Sequence, residues 1–408
     1  MARRILFVHN NFPGQFGALS EELARRGDVT RAIGSRTARD WGATKVERWA
    51  LDRNSTPGLL PLATRIEADM IRGRVAAHAA LRLRAEGFAP DLIIGHPGWG
   101  ETMFLKEVFP DAKQILHAEF FYRSTGADTG FDPDFERPHA DAGFRTHAKN
   151  AGMALSYAEA ERLVAPTPFQ AGLLPSMLRD RCSIIHEGVD TDAIRPRENP
   201  FLTFKSGRKI DRSTPVITLI NRTLEPLRGF NVFMRALPAV MKAVPAAQVI
   251  IIGKDGPASY GPNAPKGSTW KSVMLEELKG QLDLGRVHFT GHLPHKLMLD
   301  VLAVSAAHVY YTYPFVLSWS LIEAMASGCN IIASDTAPVR DALEDGVSAT
   351  LLDFFNVAAL SEALISACEN PERYAPLREA ARKVAVERYD KSTVCMPAWL
   401  NLIDEVSA

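Results

Sequence analysis

The sequence predicts an α/β protein built as two doubly wound, parallel-sheet domains. Three observations carry this. Short apolar runs alternate with helical patterns along almost the whole chain. Most of the runs are continuously apolar, as strands buried on both faces are. The pattern breaks once, at RPRENPFLTFKSGRKIDRST, a polar, charged, proline-containing stretch, and 408 residues suffice for a core on either side of it.

The first half offers strands at 5–9, 29–33, 92–95, 114–117, 163–165 and 183–186. The second offers strands at 216–221, 248–252, 287–290, 308–312, 330–333 and 349–352. Helical periodicity falls between them, for example at 16–26, 231–243, 297–304 and 357–368. This assigns residues 1–195 to a first Rossmann-like domain, 196–214 to a linker, 215–388 to a second such domain, and 389–408 to a closing amphipathic helix.

Composition removes several function classes. Lys+Arg and Asp+Glu are both 47, so the net charge is zero and nothing suggests a nucleic-acid binder. Apolar content of 46% is ordinary for a globular chain. Cys182, Cys329, Cys368 and Cys395 are widely spaced with no CxxC pair, which argues against structural zinc or a disulfide framework and fits a reducing compartment. The opening MARRILFVHNN has an apolar run only from Ile5 to Val8, too short for a signal peptide, and no run reaches transmembrane length. A cytoplasmic protein is expected. The arginines of residues 64–87 would suit either contact with anionic lipid or a solvated helix face.

The most informative stretch is YPFVLSWSLIEAMASGCNIIASD, from Tyr313 to Asp335. It reads as the end of a strand, a turn at Pro314, a helix from about Ser318, then Gly328 and another strand. Glu323 stands alone among the apolar residues of that helix, and an unpartnered buried carboxylate is costly. A helix N-terminus after a strand is where open α/β sheets take phosphates. Together these point to a nucleotide, with phosphate on the N–H groups near Phe315, Val316, Leu317 and Ser318 and ribose hydroxyls on Glu323.

This segment resembles the signature of the retaining glycosyltransferases of family 4, which have the GT-B fold of two Rossmann-like domains facing across a cleft. Their pattern is Glu, seven residues, Glu, then Ala-Met-Ala-x-Gly. EAMASG matches from Glu323 onward, while Phe315 stands where the first Glu is usual. The resemblance implies that Glu323 holds the ribose. It leaves the sugar contact of the first Glu open, with Phe315 shaping the pocket. The context TYPFVLSWS resembles a branch of the family that carries Phe here.

The resemblance covers nearly the whole chain and implies further roles. VITLINRTLEPLRGF resembles the loop that clamps the donor diphosphate, giving that task to Arg222 and Arg228, with one extra residue between them. GKDGPASYGPNAPKGSTWK resembles a variable loop beside the nucleotide, in which Lys254 and Tyr260 contact donor or acceptor or simply face solvent. Val287 and His288, in RVHFTGHLP, match the strand whose rim meets the base. Gly14 and Gly17, in HNNFPGQFGALS, match the first-domain loop beneath the diphosphate. His117, at the end of a strand in ILHAEFFYR, matches a histidine near the donor sugar, where it would bind a hydroxyl or handle a proton. His96, Glu101 and Glu119 are acceptor-side candidates or structural residues.

No metal or other cofactor is expected. Asp132-Pro-Asp134 and Asp190-Thr-Asp192 lie away from the expected diphosphate, and the arginines supply positive charge. The implied reaction moves a sugar from a UDP- or GDP-linked donor to an unidentified acceptor (glycan, lipid, protein or small molecule). Two other readings stay open: a nucleotide-sugar epimerase of the same fold, and a non-catalytic nucleotide-sugar-binding partner of a glycosylation complex. A phosphorylase lacks support because no pyridoxal-lysine signature is present.

Overall fold

A computed structural model describes residues 2–135, 140–204 and 207–408. The chain divides into two compact units, one comprising Met1–Gly188 and Ser392–Ala408, the other Val189–Lys391.

The first unit is a seven-stranded sheet. Its strands are β1 (Arg4–Val8), β2 (Val29–Ser35), β3 (Lys45–Trp49), β4 (Leu92–Gly95), β5 (Lys113–His117), β6 (Arg162–Ala165) and β7 (Cys182–Ile184). Their order is β3-β2-β1-β4-β5-β6-β7, every pair parallel. The chain winds outward from β1 in one direction, then from β4 in the other. The switch point therefore lies between β1 and β4, where such sheets open a crevice at the carboxyl ends of the strands. Ile5, Phe7, Leu92, Ile94, Ile115 and Val164 share one core with Trp399, Leu400, Leu402, Ile403 and Val406 of the last helix, Met396–Ser407. The helix Thr64–Ala85 covers the other face with Val75, Ala76, Ala79, Ala80 and Leu83.

The second unit repeats the plan. Antiparallel β8 (Phe201–Thr203) and β9 (Lys209–Asp211) form a small separate hairpin. The main strands are β10 (Val216–Thr223), β11 (Gln248–Lys254), β12 (Val287–Gly291), β13 (Ala307–Tyr310), β14 (Ile331–Ser334) and β15 (Thr350–Leu352). Their order is β12-β11-β10-β13-β14-β15, again all parallel, with the switch point between β10 and β13.

Residues 196–214, read as a linker, are instead part of the second unit. The hairpin docks there because Ile210 is buried in that unit's core. The strand β3 escapes sequence reading because KVERW holds only two apolar residues, Val46 and Trp49, three apart at the sheet edge. The C-terminal segment also differs from a single helix over 389–408. The helix Ala375–Tyr389 ends at Tyr389, a π-turn follows over Lys391–Cys395, and Met396–Ser407 is a separate helix.

Candidate functional site

In the second unit the switch point carries two guanidiniums. The turn Pro226–Arg228 ends at Gly229, whose φ of +67 is left-handed, and a Cβ there would strike the Tyr311 side chain. This turn drives Arg228 inward. Its Nη1 donates to the Tyr310 hydroxyl at 3.2 Å and to Thr312 Oγ1 at 2.9 Å, both at the end of β13. Arg222, near the end of β10, donates to the Tyr260 hydroxyl at 3.1 Å.

Both guanidiniums lie over the Tyr260 ring, Arg222 at 6.0 Å and Arg228 at 5.7 Å from its centroid. The Phe315 ring packs 5.2 Å from Tyr260 and 5.7 Å from Arg228. Neither arginine makes an ion pair with a carboxylate among the described residues. Two cations sharing one aromatic ring without a counter-ion form a site prepared for an anion.

The loop carrying Tyr260 is held by Glu225, a buried residue the sequence reading missed. Its Oε2 accepts the N–H groups of Tyr260 at 3.1 Å and Gly261 at 2.8 Å. Lys254 is exposed at the end of β11, on the same edge of the sheet.

The motif helix runs Trp319–Ala326, with Ser318 as its N-cap. Its entry is partly committed. Ser318 N–H donates to the Tyr310 hydroxyl at 2.8 Å, and the Ser318 hydroxyl accepts from Ser320 N–H at 3.3 Å. The expectation that Ser318 offers its N–H to a phosphate is thus corrected. Val316 is half-buried and Leu317 is buried in the core of this unit. Glu323 is not alone either, because His295 Nε2 lies 2.6 Å from its Oε1. Burial raises the Glu323 pKa and His295 opposes that shift. The His295 side chain is 59% exposed, so the pair opens to solvent.

Val287 and His288 sit at the amino end of β12. Val287 pairs with Val249, and His288 Nε2 contacts Gln248 Oε1 at 3.0 Å at the start of β11, with Phe204 4.6 Å from its ring. Parallel sheets take ligands at the other end, so these two residues are removed from the donor site.

In the first unit the strand ends carry histidines. His9 follows β1, His96 follows β4, His117 ends β5 and His186 lies just beyond β7. His96 stacks between neighbours, 5.4 Å from His9, 5.4 Å from His117 and 4.6 Å from Trp99. His96 Nε2 is 3.4 Å from Glu119, and His117 Nε2 is 3.2 Å from Glu187. Gln15 donates to Glu119 at 3.1 Å. Gly14, with φ of +49, packs on the His9 ring, where any Cβ would collide. Gly17 opens the helix Gly17–Arg25 beside Trp41.

The structure thus brings His96, His117 and Glu119 together, but not Glu101. Gly100, at φ +97 against the Asp69 backbone, turns the chain beneath the helix Thr64–Ala85. There Glu101 is 0% exposed, and burial pushes it up to about 7, with Arg72 and Asp69 among its charged neighbours. His9, Trp99 and Glu187 were missed. The signal for His9 was the recurrence of histidine at strand ends; nothing in the sequence singled out Trp99 or Glu187.

His96, His117 and Glu119 place one potential ligand atom each within 4.8 Å of one another. Yet His96 Nδ1 accepts the Gly98 N–H at 3.1 Å, so its Nε2 carries the proton and faces Glu119 as a donor rather than offering a metal a lone pair. Of the Asp-x-Asp pairs, Asp132 accepts from Asp134 N–H and Asp190 from Ala193 N–H, both local turn bonds. The five arginines of residues 64–87 are engaged within the unit. Arg65 and Arg72 bind Asp69, Arg74 binds Asp52, Arg82 binds Glu47, and Arg84 binds the Val108 carbonyl. Such arginines make a poor lipid contact. Among the described residues no helix is long and apolar enough to cross a membrane.

Two family models match the chain: "Glycosyl transferase family 4 group" over residues 26–194 and "Glycosyl transferases group 1" over residues 204–384. The chain belongs to glycosyltransferase family 4. This family 4 chain is 27% identical over 223 residues to a D-inositol 3-phosphate glycosyltransferase of Nocardia farcinica, matching 53% of itself and 47% of that protein. To the Mycobacterium bovis protein of the same name it is 25% identical over 258 residues, 61% of this chain and 50% of the relative. The chain spans about half the length of the curated relatives it matches. Among solved structures, sucrose-phosphate synthase of Thermosynechococcus elongatus superposes with a TM-score of 0.70 at 15% identity, covering 99% of both chains. Anabaena HepE, solved with UDP and glucose, gives 0.64 at 16% identity, covering 98% of this chain and 100% of its own. The fold of this family 4 protein is GT-B.

Proposed function

We propose that the protein is a metal-independent glycosyltransferase that moves a sugar from a nucleoside diphosphate donor, UDP- or GDP-linked, to a hydroxyl acceptor with retention at the anomeric carbon. The observation that carries this reading is the pair Arg222 and Arg228 over Tyr260, two cations without a carboxylate at the switch point of the second sheet. A diphosphate supplies the missing charge. As the bond from the anomeric carbon to the diphosphate breaks, that charge grows, and fixed guanidiniums stabilise it most in the transition state. The acceptor oxygen forms the new bond, and its proton ends on the departing diphosphate. Glu323, largely buried beside the exposed His295, receives the ribose hydroxyls. Phe315, where a carboxylate is usual, gives the donor pocket an apolar wall. HepE, crystallised with UDP-glucose, makes UDP the first base to try.

The test is a panel of UDP- and GDP-sugars, with free nucleotide and sugar product measured with and without candidate acceptors and with a chelator present. Acceptor-dependent nucleotide release that survives chelation is the expected result. A changed sugar without release identifies an epimerase, and binding without either change identifies a non-catalytic protein. Loss of activity in chelator, restored by magnesium or manganese, overturns metal independence.

A further inference from the structure

Three histidines of the first unit share one backbone device. His9 Nδ1 accepts the Asn11 N–H at 3.0 Å, His96 Nδ1 accepts Gly98 N–H at 3.1 Å, and His186 Nδ1 accepts Gly188 N–H at 2.9 Å. An imidazole whose Nδ1 accepts a hydrogen bond carries its proton on Nε2. The backbone thereby sets all three as Nε2–H donors at the carboxyl end of one sheet. Burial, then the neighbouring His96, pushes His9 down to about 3, which keeps it uncharged.

The acceptors are two carboxylates. Glu119 is reached by Gln15 and His96, and Glu187 by His117. Burial tends to raise Glu187, but His117 and His186 beside it together outweigh that and hold the group at about 2. Burial tends to raise Glu119, but the neighbouring His96 and His117 hold it below the usual carboxylate range. Four buried ring nitrogens are left waiting: His9 Nε2, His96 Nε2 and both nitrogens of His117 make no hydrogen bond, and an unmade bond at a buried polar atom is costly. The Glu119 side chain is 34% exposed, so the set is reachable from solvent. Trp99, 5.3 Å from His9 and 4.6 Å from His96, is half-buried and adds an aromatic face.

We propose that the carboxyl end of the first sheet is a subsite for an uncharged sugar or polyol ring and rejects a phosphorylated one, an inference that rests on the glycosyltransferase reading. A hydroxyl both gives and accepts a hydrogen bond, so a polyol satisfies the donors of His9 and His96 and the acceptor Glu119 together. The apolar face of a ring suits Trp99. A phosphate near neutral pH mainly accepts, and it would meet two carboxylates at short range. The nearby Arg65 and Arg72 are already committed to Asp69.

The experiment is calorimetry on the full chain saturated with UDP. It is titrated with myo-inositol, glucose and galactose, and in parallel with myo-inositol 3-phosphate and glucose 6-phosphate. At least one neutral ring is expected to bind, with its phosphorylated counterpart at least tenfold weaker. Glu119→Gln is expected to shrink that gap about tenfold while leaving the UDP affinity unchanged. Replacing UDP with a phosphonate-linked UDP-sugar assigns the ring: displacement of the neutral sugar means the subsite holds the donor's own sugar, and persistence means it holds the acceptor. Tighter binding of the phosphorylated compound, binding of no neutral ring, or a gap indifferent to Glu119→Gln overturns the proposal. Failure of UDP to bind in the same cell strikes the glycosyltransferase reading instead, since the neutral-ring titration is read independently.

Discussion

Glu225 and Tyr260 are joined across 35 positions of sequence by a side-chain oxygen that accepts the Tyr260 N–H at 3.1 Å. The same oxygen takes the next N–H, of Gly261, at 2.8 Å. One buried carboxylate thus places the phenol that Arg222 and Arg228 share.

Glu225→Ala should therefore weaken nucleoside diphosphate binding without removing any group that touches it. Loss of two bonds to a charged acceptor is worth about 1.5–3 kcal/mol each at most. Calorimetric titration with UDP or GDP, with proteolysis of the 255–266 loop as the companion measurement, checks this. A variant with native affinity and an uncut loop contradicts it.

Glu323→Ala should reduce nucleotide affinity by about 1.5–3 kcal/mol, a tenfold to hundredfold change, while the fold persists. His295→Ala should do much less, because His295 is mostly exposed and screened by solvent. Equal losses in the two variants would make the ion pair, not the ribose, the reason for Glu323.

Arg222→Ala and Arg228→Ala should both lower turnover, yet they should part in stability. Arg222 is bound by one exposed hydroxyl, whereas Arg228 is buried on Tyr310 and Thr312. Thermal unfolding should show a loss of about 1–3 kcal/mol for Arg228→Ala only. Full activity of either variant at saturating donor removes that arginine from the clamp.

Glu101→Gln should stabilise the protein at alkaline pH. Burial raises the folded pKa to about 7 from an ordinary value of 4.5. Between those values the unfolded chain has lost the proton and the folded chain keeps it, so wild-type stability falls as pH rises through this window. The penalty is on the order of 3 kcal/mol at full effect. Denaturation at pH 4 and pH 8 should show the variant gaining on the wild type only at the higher pH.

His117→Ala should cut sugar transfer by about tenfold or more while leaving affinity for the free nucleotide unchanged. The groups proposed to hold the nucleotide, Arg222, Arg228 and Glu323, all belong to the other unit. Normal transfer kinetics would make His117 a packing residue beside Glu187.

The sheets were legible because parallel strands buried on both faces write themselves as apolar runs, as Ile5–Val8 and Val216–Ile220 do. β3 was not, because this edge strand buries only Val46 and Trp49, one on each face of the sheet. Arg222, Arg228 and Glu323 could be found from motif spacing, but their partners could not. Tyr260, Tyr310 and His295 reach them through folding, over distances no local pattern records. His288 misled for a related reason: spacing places a residue on a strand, but the direction of neighbouring strands decides which end meets a ligand. Glu101 misled because one left-handed glycine redirected it.

The first unit is not continuous in sequence, and this orders its assembly during synthesis. Residues 189–391 emerge from the ribosome before the helix Met396–Ser407 that supplies Trp399, Leu400 and Ile403 to the first sheet. The second unit can therefore reach its native state while the first still shows a bare apolar sheet face to the cell. In that interval the exposed face is open to misassociation, and a stall in translation before residues 396–407 emerge would harm the unit that was made first.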